Sequence, residues 1–209
     1  MHLFNIRALM LKYSHERTNY TSILRSTCLN LGEIELPATG TRIELVYQPS
    51  ASYKFILGKP YCLNFVSEDG ISGFSLQLMS PGNKQYQLNL PQTSYATAEG
   101  DYVLNKNTLI IERISETETK FSIPEANISE TINCVNAPTK GVMCLFAKDN
   151  ITSNSTMGKV YGFRIYQNNR LVLDLVPAVR KPDLLRGFID TITDTFYGSC
   201  GNADFKGGE

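Results

Sequence analysis

The chain has 209 residues, 42% of them hydrophobic, with 20 basic and 20 acidic side chains and a formal net charge of zero. That length suits one large domain with an ample core, and the balanced charge offers no basic surplus for nucleic acid and no acidic tail. No apolar run approaches the length of a membrane-spanning helix.

Eleven Tyr and ten Phe without any Trp, among many Thr, Ser and Asn, favour strands and turns over helices. Residues 1–20 differ from the rest of the chain. They hold both histidines, His2 and His15, and place Leu3, Ile6, Met10 and Tyr13 at near-helical spacing without caps. This segment reads as an arm or linker docking onto a neighbour, with an extra edge strand as the alternative. Its apolar stretch is broken by Arg7 and lacks a small-residue cleavage site, so no secretory leader is expected. Residues 21–209 read as the folded domain.

Strand signals then succeed one another: Cys28–Leu36, Thr41–Gln48, Tyr53–Leu57, Tyr61–Val66, Gly73–Met79 and Gln85–Leu90. Turn residues separate them at Pro37–Gly40, Gly58–Pro60, Glu68–Gly70 and Ser80–Asn83. After a looser stretch around Gly100, strands resume at Asp101–Leu104, Thr108–Ile114, Lys120–Ile123 and Gly141–Ala147. Many short strands at regular spacing predict an all-β antiparallel sandwich, not a parallel α/β sheet.

The last quarter is the best patterned. Tyr161, Phe163 and Ile165 alternate with Gly162, Arg164 and Tyr166, and Leu171, Leu173 and Leu175 alternate with Val172 and Asp174. A two-residue loop, Asn168-Asn169, would set Phe163 opposite Asp174. A three-residue loop, Gln167–Asn169, instead places Tyr161, Phe163, Ile165, Leu171, Leu173 and Leu175 on one face, with Arg164 and Asp174 diagonal on the other. Burial favours the three-residue loop, with Asn169 at positive φ and the return strand running Arg170–Val176 to a Pro-containing exit. A second short hairpin lies near Asp194–Tyr197.

The five cysteines, Cys28, Cys62, Cys134, Cys144 and Cys200, are scattered and show no CxxC spacing, which argues against a zinc site. Buried reduced thiols are favoured over a disulfide framework.

The order Tyr161–Tyr166, polar turn, Leu171–Pro177, Asp194–Tyr197 and a Gly-rich end resembles the closing segment of concanavalin A-like (LamG-like) jelly-roll domains. Thr41–Leu45 resembles their early strand, and Gly141–Ala147 the strand before the final hairpin. Ser67–Val135 carries no such likeness, and the Gly-Thr-Gln-Tyr element usual after Ser-Thr is missing here. Such domains recur in structural proteins of tailed bacteriophages and in bacterial surface proteins. The resemblance implies a concanavalin A-like antiparallel β-sandwich with a short N-terminal arm. It also implies a virion structural or decoration protein of the capsid, fibre or tail, assembled in the host cytoplasm. Other virion proteins, further copies of the chain and host glycans are its expected partners. Nucleic-acid binding and membrane insertion are not expected. A lectin-like bacterial surface adhesin is the first alternative and a polysaccharide-cleaving enzyme the second.

Enzymes of this architecture cut polysaccharides with paired carboxylates on one strand face. Glu33 and Glu35 share a face but lack a third acid, and Glu112–Glu118 reads as a solvated hairpin turn, so no catalytic residue is assigned. No GxSxG, P-loop or HExxH motif is present. Lectin-like sandwiches often carry calcium on oxygen-rich loops. Asp149, Asn150 and Asn154 form the first candidate, and Asp190 with Asp194 and the intervening threonines the second. For carbohydrate binding, Tyr86, Tyr95 and Tyr102 are the candidate stacking platforms.

Overall fold

The computed structural model describes residues 15–23, 27–50, 60–79, 84–148, 157–201 and 203–207. In chain order the strands are β1 (His15–Arg17), β2 (Thr21–Ile23), β3 (Leu29–Leu36), β4 (Thr41–Pro49), β5 (Tyr61–Ser67) and β6 (Phe74–Leu78). Next come β7 (Tyr86–Leu90), β8 (Thr93–Ala96), β9 (Asn107–Ser115), β10 (Glu118–Ile123), β11 (Ile128–Asn133) and β12 (Thr139–Leu145). The closing set is β13 (Gly158–Gln167), β14 (Arg170–Arg180), β15 (Leu185–Asp190), β16 (Phe196–Tyr197) and β17 (Lys206–Gly207).

These strands form two antiparallel sheets. The larger, of 11 strands, runs β11-β10-β9-β4-β13-β14-β15-β16, with β1 on β14 and β2 between β13 and β17. The smaller, of six strands, runs β3-β12-β5-β6-β7-β8. The period-two pattern of the sequence decides which side chains meet between them. Ile43, Leu45 and Tyr47 from β4 and Phe163 and Ile165 from β13 share one buried cluster with Leu63, Phe65, Leu76 and Leu88 of the small sheet. Each such side chain stabilises the fold by about 1.5–3 kcal/mol through removal from water.

The sequence expectations hold for most strands, and Tyr53–Leu57 lies outside the described residues. Asp101–Leu104 is a 3-10 turn, not a strand, with only Val103 buried. Strands β8 and β11, which the sequence pattern does not mark, pair with β7 and β10.

The β13–β14 hairpin corrects the expected turn. Its loop is the two-residue Asn168-Asn169, with φ of 50° and 63°, the pattern of a type I′ turn. A bulge then leaves Val172 unpaired between Tyr166↔Leu171 and Ile165↔Leu173, which restores Phe163↔Leu175 and Arg164↔Asp174. Burial therefore did select the apolar face, but through an extra residue in the strand instead of a longer loop. Leu171 consequently lies opposite Tyr166 and outside the core, while Leu173 packs half-buried against it. Tyr161 also leaves the expected face, because a bulge interrupts β13 against β4 between Val160 and Gly162.

Strand β14 continues past the expected exit to Arg180. Pro177, which has no N–H, sits where β14 passes from β13 to β1. The hairpin opens there into a fork. Strand β1 pairs with Ala178–Arg180 on one arm and β2 with Gly158–Val160 on the other. The end of the segment read as an arm is thus a strand filling this fork, and residues 1–14 lie outside the description.

Cys28 and Cys200 form a disulfide with Cα atoms 5.3 Å apart, and the Cys200 N–H donates to the Cys28 carbonyl at 2.9 Å. This corrects the expectation of reduced thiols for that pair. A separation of 172 residues hid the pairing, which exists only because the chain's end returns beside β3. Cys62, Cys134 and Cys144 are buried free thiols, and burial pushes the Cys62 thiol far up.

Candidate functional site

Three strand sequences of the small sheet place amides and hydroxyls on its outer face. In YCLNFVS, FSLQL and YQLNL most apolar positions face the core, which puts Asn64, Ser75, Gln77, Gln87 and Asn89 on the other face, where Gln87 and Asn89 are half-buried and Asn64, Ser75 and Gln77 are buried. Register aligns them. Asn30, Cys144, Asn64, Ser75, Asn89 and Ser94 stand opposite one another in a row across all six strands. A second row sets Tyr61 opposite Gln77 and Gln77 opposite Gln87.

The rows are held by their own bonds. Asn89 Nδ2 donates to Ser75 Oγ at 3.1 Å and to Gln77 Oε1 at 3.3 Å, and Asn64 Nδ2 donates to the Lys148 carbonyl. Such fixed, uncharged donors and acceptors suit hydroxyl-rich ligands, because they orient a sugar without burying a charge. A recess of about 270 Å³ lies over the row, with Asn64, Ser75, Asn89 and Lys148 in its lining and the exposed Val66 and Ile71 at its apolar edge. Tyr61 is the half-buried aromatic neighbour. The sequence signal for this face was the alternation of leucines with uncharged amides, where a solvated strand would carry charges.

The tyrosines singled out from sequence fall elsewhere. Tyr86 is a fully buried core residue whose hydroxyl donates to the Val103 carbonyl, so it offers no stacking face. Tyr95 lies opposite Leu88, on the core side, with its ring 6.1 Å from Phe121. Tyr102 lies in the 3-10 turn and donates to the Ala98 carbonyl at 2.7 Å. Burial pushes both the Tyr95 and Tyr102 hydroxyls up.

Asp149, Asn150 and Asn154 lie outside the described residues. At the second oxygen-rich loop, the Asp190 carboxylate is buried and accepts from the Asp174, Ile192 and Thr193 N–H groups and from the Thr193 hydroxyl. Its oxygens organise the turn to Asp194. No cluster of three metal-ligating His, Cys, Asp or Glu occurs among the described residues.

Glu33 and Glu35 are exposed on β3, and Glu112–Glu118 contains the expected β9–β10 turn. Lys140 lies 2.6 Å from Glu33 and 3.6 Å from Glu68, and the Glu33 hydrogen bond raises its pKa. The Lys140 ammonium thus lies between Glu33 and Glu68.

No family model matches the chain, and no curated protein matches it. Among solved structures it is similar to the LG1–3 region of the laminin alpha2 chain, at 14% identity and a TM-score of 0.53. That alignment covers 76% of this chain and 29% of the laminin structure, so the chain spans under a third of that protein's length. It is also similar to a point mutant of HCR/D, at 13% identity and a TM-score of 0.48, covering 76% of this chain and 44% of that one. The fold is the concanavalin A-like, LamG-like jelly roll.

Proposed function

We propose that this chain is a non-enzymatic, lectin-like module that binds a host-surface glycan on the outer face of its small sheet. Within that reading it serves as a structural or decoration component of a tailed-bacteriophage virion. The observation that carries the binding role is the row Asn64-Ser75-Asn89 with Gln77 and Gln87 beside it. Uncharged amides in register provide paired donors and acceptors at the spacing of adjacent strands, which vicinal sugar hydroxyls can bridge. The virion role is supported by the resemblance of Tyr161–Phe205 to closing segments of phage structural domains. In this reading the protein is assembled in the host cytoplasm, several copies associate, and residues before His15 contact other virion proteins. The Cys28–Cys200 disulfide fits that route, since it can close once the particle leaves the reducing cytosol.

A glycan array of host surface polysaccharides tests the binding role. The wild type should retain a defined subset, and the Gln87→Ala/Asn89→Ala double variant should lose it. Retention of the same glycans by the double variant would rule this face out as the binding site. Reducing-sugar release that disappears on Glu33→Gln would replace binding with hydrolysis.

A further inference from the structure

On the other sheet, two aromatic rings and two lysines meet. Tyr20, at the tip of the segment filling the hairpin fork, packs its ring 5.8 Å from that of Tyr161, which the β13 bulge has turned away from the core. Lys159 Nζ lies 4.3 Å from the Tyr20 centroid and Lys106 Nζ 4.2 Å from the Tyr161 centroid. Both lysines are exposed, and neither has a carboxylate within 4.0 Å among the described residues. Glu125, whose charge reaches Lys106, is held instead by the Thr108 N–H at 2.9 Å and the Thr108 hydroxyl at 2.6 Å. The ion pairs of this sheet, Arg42 with Glu44 and Glu112 and Arg164 with Glu44 and Asp174, include neither lysine. Arg42 over Tyr166 and Arg180 over Phe196 are also ring-held, but both are ion-paired, whereas Lys106 and Lys159 are in no ion pair among the described residues.

Beside them runs a groove of about 340 Å³ lined by Ser22, Gln48, Pro49, Met157 and Lys159, among others. The Tyr161 hydroxyl donates to Gln48 Oε1 at 2.9 Å, which ties the ring pair to the groove wall. We propose that this groove binds an anionic saccharide polymer. Its negative groups would sit between Lys106 and Lys159, and its sugar would lie against Gln48, Ser22 and Met157. Cation–π contact holds the ammonium groups in place before the ligand arrives, which reduces the ordering cost of binding. The required chemistry is a repeating negative charge on a hydroxylated backbone, supplied by uronic-acid carboxylates or by polyol-phosphate diesters. The site does not depend on the small-sheet binding face, which uses neutral groups on the opposite side of the sandwich.

Calorimetry with oligogalacturonate, with a glycerol-phosphate oligomer and with neutral maltodextrin of matched length tests the proposal and separates the two sources of charge. At least one anionic oligomer should bind, and the Lys106→Gln/Lys159→Gln double variant should bind it ~10-fold or more weakly. Affinity should also fall as ionic strength rises from about 0.01 M to about 0.15 M, where the screening length shrinks from roughly 30 Å to roughly 8 Å. Because both lysines are exposed, the variant should keep its unfolding midpoint. Unchanged affinity in the double variant, equal binding of maltodextrin, or no binding of either anionic oligomer at low salt would overturn the proposal.

Discussion

Arg164 stands directly opposite Asp174 across the β13–β14 ladder, and its Nε donates to Asp174 Oδ1 at 2.9 Å. The pair exists because Val172 bulges out. Without that bulge the two-residue turn would set Phe163 against Asp174 and bring a carboxylate to the core face.

The hairpin register predicts unequal costs for neighbouring leucines. Leu175 is fully buried opposite Phe163, so Leu175→Ala should lower stability by about 2–5 kcal/mol in urea unfolding. Leu171, outside the core, should cost less than about 1 kcal/mol. In the turn, Asn169→Gly should be neutral or stabilising by up to about 1 kcal/mol, because Asn169 already sits at positive φ. Similar losses for both leucines would contradict the bulged register.

Purified protein exposed to air should carry one disulfide, seen as Cys28 and Cys200 joined in non-reducing peptide mapping. Cys62, Cys134 and Cys144 are buried and should resist alkylation until the chain unfolds. Cys200→Ser should lower stability by about 2–5 kcal/mol under oxidising conditions and leave the reduced protein nearly unchanged. Equal stability of oxidised wild type and variant would contradict the cross-link.

The hydrogen bond from Arg180 holds the Asp183 carboxyl down at about 2. Its folded pKa lies below its unfolded value, so the stabilising contribution is present above the unfolded pKa and is lost as pH falls through the folded one. An NMR titration of the Asp183 side chain should show no protonation between about pH 5 and pH 3, with the midpoint returning toward the usual carboxylate range of about 3.9 in Arg180→Gln. A normal midpoint in the wild type would show that this exposed pair does not persist in solution.

Strand alternation made the sandwich legible in sequence, since Ile43, Leu45, Phe163 and Ile165 could face only one way. The same alternation of leucines with uncharged amides marked the candidate face only in part. Ser75, Gln77, Gln87 and Asn89 occupy the non-core parity of their strands, and only inter-strand register brings them into rows. Tyr86 misled for the same reason: its ring is core or surface depending on a strand parity that aromatic composition does not reveal. The fork filled by His15–Ile23 was also illegible, because it depends on where β13 and β14 part at Tyr161 and Pro177. The Cys28–Cys200 bond likewise results from chain closure and has no local spacing signature.

Nitrogen-edited NMR spectra recorded while a glycan retained on the array is titrated in would test the binding face most directly. The side-chain amide signals of Asn89, Gln87 and Gln77 should shift together and saturably, and Asn89→Ala should weaken binding ~10-fold while leaving the fold intact. Saturable binding with those three amides unmoved, or with full affinity in Asn89→Ala, would contradict the account and place recognition elsewhere on the molecule.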